Sequence, residues 1–392
     1  MTSQVLTGIA ELTTNDPERE GLLGRVRDAA VVLEGDTIAW VGAAADAPAA
    51  DERVDLGGRA VLPGWVDSHT HLVFAGDRSD EFEHRMAGHP YQAGGIGTTV
   101  RATTGATDEE LRAALASRRA VARAHGTTWM EIKTGYGLDT AQELRLARLA
   151  AEVTDDVTFL GAHLVPSGVD ADAYVATVIG EMLDAVRPFA RWIDVFCEKG
   201  AFDVAQSRAV LEAGRSAGLG LRVHGNQLGE SGGVALAVEL GAASVDHCNH
   251  LSVDDIAALA ASRTVATLLP ACDLSTREPF PPARELLDAG ATIALASNGN
   301  PGTSNTTSMA FCVATAVLQM RLTVEEAVWA ATAGGAHALR REDSIGRIAP
   351  GYRADLHAID GPSVSHFAYR PGMDLTFAVW ESGRRVGSGD AG

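Results

Sequence analysis

LPGWVDSHTH, residues 62 to 71, is the stretch that decides how the rest of the chain reads. It is an apolar, strand-like run that ends in a His-x-His pair. Side chains two apart on a strand point to the same side, ~7 Å apart along the chain. The imidazoles of His69 and His71 therefore address one point at the strand's end, and one metal ion there can take both. The plain alternative is a pair of surface or capping histidines, and the rest of the chain weighs against it.

Seven further runs share this design: TTWMEIKTGYG (127–137), VTFLGAH (157–163), WIDVFCEKG (192–200), GLRVHGNQ (220–227), ASVDHCNH (243–250), TVATLLPACD (264–273) and ATIALASNGN (291–300). Each is apolar until its last few residues, where polar groups gather: Lys133 and Tyr136, His163, Glu198, His224, His247, Asp273, Asn298. Between the runs lie amphipathic stretches with helix-start signals, among them Thr107-x-x-Glu110, Ser252-x-x-Asp255 and Thr323-x-x-Glu326. Alternating strands and helices predict a parallel sheet, and eight such units predict an α/β fold of the (β/α)8 TIM-type barrel class. Sites in such barrels form at the C-terminal ends of the strands, so the histidines converge on one mouth.

Both chain ends differ from this middle. DAAVVLEGDTIAWVG (28–42) reads as a hairpin turning at Glu34-Gly35-Asp36, and ADLHAID, LTFAVWESG and RRVG near the C-terminus read as short strands. Residues 1–60 and 346–392 are thus expected to form one small β-sandwich domain beside a catalytic barrel at 61–345.

Composition narrows the function. The chain has 392 residues, 46% hydrophobic and 21% charged, with a net charge of −19. That balance speaks against nucleic acid and anionic membrane surfaces, and an anionic substrate would need a local positive pocket. No signal peptide or spanning segment is read. Cys197, Cys248, Cys272 and Cys312 are scattered, which fits a reduced, cytoplasmic protein with buried thiols.

At the expected mouth, His224 is the third ligand candidate; alone it would read as a satisfied core histidine, but not opposite the His69 pair. Three nitrogens leave the open geometry of a catalytic zinc or iron site. The eighth strand would ordinarily add a carboxylate, and this chain has Asn298, a neutral and weaker ligand that is no base near pH 7. Arg78, in HLVFAGDR, suits a carboxylate substrate; its plain alternative is a surface ion pair with Asp77 or Asp80. Tyr136 sits in a glycine-flanked turn as a lid or hydrogen-bond donor, or merely packs that turn. Lys133 reads as structural or electrostatic. His163 and His247 are the acid/base candidates. The NPGTS turn (300–304) has backbone donors that suit an anion. His84, His89, His125, His250, His337, His357 and His366 have no such context and read as structural or surface residues.

VDSHTHLVFAGDR, AGGIGTTVRAT (93–103), EIKTGYGL, FLGAHLVP, DVFCEKGAF, LGAASVDHCNHLS, ATLLP and NPG together resemble imidazolonepropionase, a metal-dependent cyclic amidohydrolase of histidine degradation. The resemblance runs nearly the whole length, and GRIAPGYRADL is shared more widely across amidohydrolases. It implies a metal-bearing (β/α)8 barrel, hydrolysis of 4-imidazolone-5-propanoate to N-formimidoyl-L-glutamate, one zinc or iron ion per subunit and a small anionic cyclic amide as partner. It also allows a homodimer, which no apolar stripe demands. By the same resemblance His69, His71 and His224 bind the metal. Arg78, Tyr136, His163, Gln227, Asn300, Gly302 and Thr303 contact substrate or product, and His247 moves protons, with Gln227 and His163 counted beside it. Two positions depart from the family pattern: Gln227 stands for the usual Glu of His-Ala-Asp-Glu, and Asn298 for the metal-binding Asp. The alternatives these raise are a hydrolase of another cyclic amide or a disabled ligand-binding homologue.

Overall fold

The computed structural model describes residues 2–88 and 95–386. His89, the first two residues of AGGIGTTVRAT and the end of the C-terminal segment lie outside the described residues. The strands are β1 (Ser3–Leu12), β2 (Val26–Glu34), β3 (Thr37–Ala43), β4 (Glu52–Pro63), β5 (Trp65–Asp67), β6 (Thr127–Met130), β7 (Ile132–Lys133), β8 (Val157–Ala162), β9 (Trp192–Cys197), β10 (Gly220–Gly225), β11 (Ser244–His247), β12 (Val265–Leu268), β13 (Ile293–Leu295), β14 (Leu356–Ile359), β15 (Thr376–Glu381) and β16 (Arg384–Val386). The chain divides into two compact units, one of residues 1–67, 119–129 and 308–392, the other of 68–118 and 130–307.

In the first unit seven strands join edge to edge in the order β16-β15-β14-β4-β1-β2-β3. β2 and β3 are the expected hairpin, with Glu34 opposite Thr37 across a two-residue turn. The ends of the chain meet where β14 runs antiparallel to β4, Leu356 opposite Pro63. Alternation sorts the side chains: Leu6, Ile9, Val31, Leu33, Leu356 and Trp380 gather in one apolar core, while Val5, Ala30 and Val32 pack with Trp40 elsewhere.

In the second unit β7 to β13 lie side by side in sequence order, each parallel to its neighbour. The chain after β5 is hydrogen-bonded to both edge strands' segments. Lys133 N donates to Thr70 O at 2.9 Å on one side; on the other, Asn298 N donates to His69 O at 3.0 Å and His71 N to Gly299 O at 2.9 Å. All eight runs thus supply a strand, the second one broken at Glu131. The three capping boxes read from the sequence are made reciprocally, as in Thr323 N to Glu326 Oε2 (2.8 Å) and Glu326 N to Thr323 Oγ1 (3.2 Å). A fourth, Asp203 with Gln206, starts the helix Val204–Ser216.

Candidate active site

His69 and His71 follow β5, and His224 sits near the end of β10; all three are buried, and their ligand atoms lie within 4.8 Å of one another. His69 Nδ1 is 2.7 Å from Asp246 Oδ2, so that nitrogen carries the proton and Nε2 is left with a lone pair. His69 Nε2 is 3.2 Å from His71 Nε2. Two nitrogens each about 2.0–2.1 Å from a tetrahedral ion would stand about 3.3 Å apart. His224 Nδ1 lies 3.0 Å from Asp194 Oδ2, a carboxylate that also accepts from the His224 backbone N–H through Oδ1 at 3.1 Å. The three imidazoles are therefore pre-aimed, two by carboxylates, and fit one borderline-soft cation.

Behind them lies a layer of charges with no exposed surface. Lys133 Nζ donates to Glu131 Oε1 at 2.9 Å and Asp194 Oδ2 at 2.8 Å, and Arg222 donates to Asp246 Oδ2 at 3.2 Å and Ser68 O at 2.7 Å. Thr158 Oγ1 donates to Glu131 as well. Burial pulls the Asp194 and Asp246 carboxyls upward, but His224 and Lys133 beside the first, and Arg222 and His69 beside the second, hold both below the usual carboxylate range. They stay ionised and can polarise the imidazoles they touch. Lys133, read as structural or electrostatic, is the hub of this layer. Asp194, Asp246, Glu131 and Arg222 went unread in the sequence. Their signal was a lone charge inside an apolar run, as in WIDVF, SVDH and WMEIK.

A cavity of about 40 Å³ opens beside the trio, lined by His71, Arg78, Ile96, Tyr136, His163, Phe196, His224, Gln227, His247, Asn298, Asn300 and Thr303. Most of the residues singled out from the sequence meet here. Arg78 is buried and gives Nε and one terminal nitrogen to Glu81, at 2.9 and 2.8 Å, and not to Asp77 or Asp80, the partners of the plain alternative. The reason is helical spacing, since Glu81 stands three residues on in the helix Ser79–Met86 that Arg78 precedes. The other terminal nitrogen lies against Gly302, where an added Cβ would come within 2.1 Å of it. Gly302 contributes by having no side chain.

Tyr136 is held by its loop. The buried Glu143 carboxylate accepts from the backbone N–H groups of Gly135 (3.0 Å), Gly137 (2.7 Å) and Leu138 (2.9 Å). Gly135 adopts φ +109°, which a side chain would resist. Its carbonyl lies 2.9 Å from His163 Nδ1, and the His163 ring stacks on His71 with centroids 5.6 Å apart. Gln227 is positioned by Glu198 Oε2, which accepts from the Gln227 and Leu228 backbone N–H groups at 2.8 and 3.1 Å.

The NPGTS turn differs from expectation. Asn300 Oδ1 accepts from Gly302 N at 2.9 Å and Thr303 N at 2.8 Å, so these backbone donors are spent within the turn and are not offered to an anion. Asn300 Nδ2 in turn donates to Asn298 O at 2.6 Å and Thr303 Oγ1 at 2.9 Å. Asn298 is left-handed, with φ 53°, a conformation Asn tolerates. Its amide oxygen is the atom a cation would take.

His247 lies 5.4 Å from His224 and 5.8 Å from His69 between ring centroids. Its φ of 82° is rare for such a residue, and Cys248 and Asn226 beside it are also positive. Burial pushes His247 well below the usual imidazole value, with His224 adding to it, and pushes His163 down to about 4. Both are neutral near pH 7, so neither is a standing acid, and either is a proton acceptor first.

The chain matches the amidohydrolase family over residues 60–386. Among curated proteins it is 65% identical to the imidazolonepropionase of Saccharopolyspora erythraea over 389 residues, 98% of this chain and 99% of that one. It is 61% identical to that of Arthrobacter sp. strain FB24, covering 98% and 100%, and 59% identical to that of Streptomyces coelicolor, covering 98% and 99%. Solved structures of similar fold include an adenosine deaminase from Xanthomonas campestris with bound zinc, at TM-score 0.74 and 20% identity, covering 97% of this chain and 92% of that one. A second is the atrazine chlorohydrolase of Arthrobacter aurescens TC1 complexed with zinc, at TM-score 0.73 and 16% identity, covering 97% and 94%. At such identities these two speak for the fold alone. The full-length matches, together with the assembled histidines, show that the chain belongs to the amidohydrolase family and, within it, to the imidazolonepropionases.

Proposed function

We propose that this chain is the hydrolase that opens 4-imidazolone-5-propanoate with water to give N-formimidoyl-L-glutamate in histidine degradation. Water adds across the ring amide: the carbonyl carbon gains the hydroxyl, the carbon–nitrogen bond breaks, and the ring nitrogen takes the proton. The observation that carries the reading is that two of the three convergent imidazoles, His71 and His224, line the same cavity as Arg78. Relatives of that name, 57–65% identical over nearly the whole chain, favour it over a different ring substrate or a disabled site.

His69, His71 and His224, with the Asn298 oxygen, would hold one zinc or iron ion, which when bound makes water more acidic and polarises the ring carbonyl. Arg78 orients the propionate through the guanidinium nitrogen not engaged by Glu81. Tyr136 and the NPGTS turn wall the ring. Neither Asn298 nor Gln227 carries a charge, so the base falls to an imidazole. Neutral His247 takes the proton from water and returns it to the departing nitrogen, and His163, fixed by the Gly135 carbonyl, orients the ring. We read the seven parallel strands and segment 65–71 as one closed (β/α)8 barrel spanning 61–345. Residues 1–60 and 346–392 are read as a small β-sandwich domain, and the working enzyme as cytoplasmic. The hydrogen bonds on both sides of residues 69–71 support the closure.

The test measures bound metal and ring opening in the wild type, His71→Ala and Asn298→Asp. His71→Ala should lose metal and at least ~10²-fold in turnover. Wild-type turnover of the same order as Asn298→Asp sustains the reading. Turnover that appears only in Asn298→Asp, or that survives chelation, overturns it.

A further inference from the structure

Arg118 is not one of the residues that line the cavity, yet it grips the segment that joins two of them. Residues 72–77 run from His71, one of the three convergent imidazoles, to Arg78, the guanidinium read above as orienting the propionate. The set of this segment fixes how far the carboxylate end of a substrate lies from the histidines.

Leu72, Val73 and Phe74 are no more than 3% exposed, although they belong to no strand or helix. Buried backbone of that kind must find partners for its carbonyls. Arg118, on the helix Asp108–Ala124, supplies them: its Nη1 donates to Leu72 O at 2.8 Å and to Phe74 O at 2.9 Å. Its guanidinium carbon also stands 3.4 Å from the centroid of the Phe74 ring, a cation–π contact. Burial pulls Arg118 down to about 10, which leaves it charged at neutral pH. Phe74 in turn meets Tyr136 edge-on, with ring centroids 6.5 Å apart. Further along, Ala75 N donates to the Thr103 hydroxyl at 3.1 Å. Gly76, at φ +89°, passes so near Ala102 that an added Cβ would come within 2.8 Å of its side chain. One guanidinium thus ties two carbonyls and a ring. A lysine would not replace it, because an ammonium has no plane to lay against Phe74.

We propose that Arg118 is a positioning residue: by bridging the Leu72 and Phe74 carbonyls and covering the Phe74 ring, it sets Arg78 at its distance from the three-histidine group and so governs affinity for the substrate's carboxylate. The proposal rests on the ring-opening reading and deepens it. Arg118 acts through the segment alone, since a shift of about 1 Å in a group that orients substrate is enough to be felt in the kinetics. The rival role is plain packing, in which Arg118 only seats its helix and leaves Arg78 where it is.

The test is steady-state kinetics of full-length, metal-loaded protein with 4-imidazolone-5-propanoate. Arg118→Ala should raise KM about ten-fold and change kcat by less than about three-fold, because a displaced Arg78 weakens substrate and transition state alike. Bound metal should stay at the wild-type level. Methylguanidinium in the buffer should restore part of the lost affinity to Arg118→Ala and leave the wild type unaltered. Where Arg118→Ala does not fold, Arg118→Lys decides: a KM about three-fold higher sustains the proposal, and a wild-type KM overturns it. In Arg118→Ala, an unchanged KM overturns it too, as does a rise that methylguanidinium fails to reverse, which would assign the loss to the fold. Loss of metal together with kcat overturns it by assigning Arg118 to the metal centre. Should the wild type open no imidazolone, the reaction reading fails, and the crystal structure of Arg118→Lys beside that of the wild type decides this one. A displaced Arg78 sustains it, and unmoved residues 72–78 overturn it.

Discussion

Two seven-stranded sheets in this chain fill their interiors with opposite materials. The sheet made by the chain ends gathers Leu6, Ile9, Val31, Leu33, Leu356 and Trp380, all nearly inaccessible. The parallel strands instead surround Glu131, Lys133, Asp194, Arg222 and Asp246, none of whose side chains has any exposed surface. Hydrophobic burial stabilises in proportion to area, whereas a buried ion pair seldom repays its desolvation. The first interior is therefore built for cohesion. The second has another use: two of its carboxylates end on the histidines that would hold the ion.

The comparison can be broken most severely at Asp246. Asp246→Asn should destabilise the fold by about 3–5 kcal/mol, because Arg222 and Lys133 lose a buried counter-charge, and should weaken metal affinity by about 10–100-fold. Denaturant unfolding alongside a chelator competition measures both; unchanged affinity would mean that the charges do not aim the histidines. The matched cut in the other sheet is Leu356→Ala. It should cost about 3 kcal/mol and leave metal affinity unaltered. Coupled loss of affinity there would erase the distinction.

Acid sharpens the contrast. His357, in β14, is pushed down to about 3 by burial, so the folded protein holds it neutral. Its stabilising contribution is present above the ordinary imidazole value and is lost as pH falls through the folded one. Between pH 7 and pH 5 it should account for about 2 kcal/mol of lost stability. Replacing it with Gln should flatten that part of the stability–pH curve, and an unchanged slope would assign the acid sensitivity elsewhere. The smallest effect belongs to Gly302→Ala. The new methyl group meets the Arg78 guanidinium, so KM should rise about ten-fold while stability moves by less than about 1 kcal/mol. Steady-state kinetics and a thermal melt separate the two.

The strand runs, the hairpin, the capping boxes and the meeting of His69, His71 and His224 were legible because each rests on a short-range rule of spacing. The carboxylates behind them were not. Asp194 and Asp246 stand inside apolar runs, and a period of two states that they share a face with their neighbours but not that the face is an enclosed interior. Glu143 and the role of Glu198, read only as a polar strand end, escaped for a related reason: each holds a loop through backbone N–H groups, a contact that leaves no pattern in residue types. The partner of Arg78 and the fate of the NPGTS donors turned on local geometry. In both cases a nearer acceptor, Glu81 or the Asn300 side chain, took the donors first.

The backbone bonds that flank residues 69–71 carry one more implication. Thr70, His69 and His71 are stitched to Lys133, Asn298 and Gly299 at the same residues that would supply ligands. A bound cation would thus act as a clasp on that seam, and fraying of the last strand would loosen its grip. Amide exchange at His71 and Asn298 should slow when the clasp is fastened, which makes those two protons a gauge of occupancy that needs no substrate.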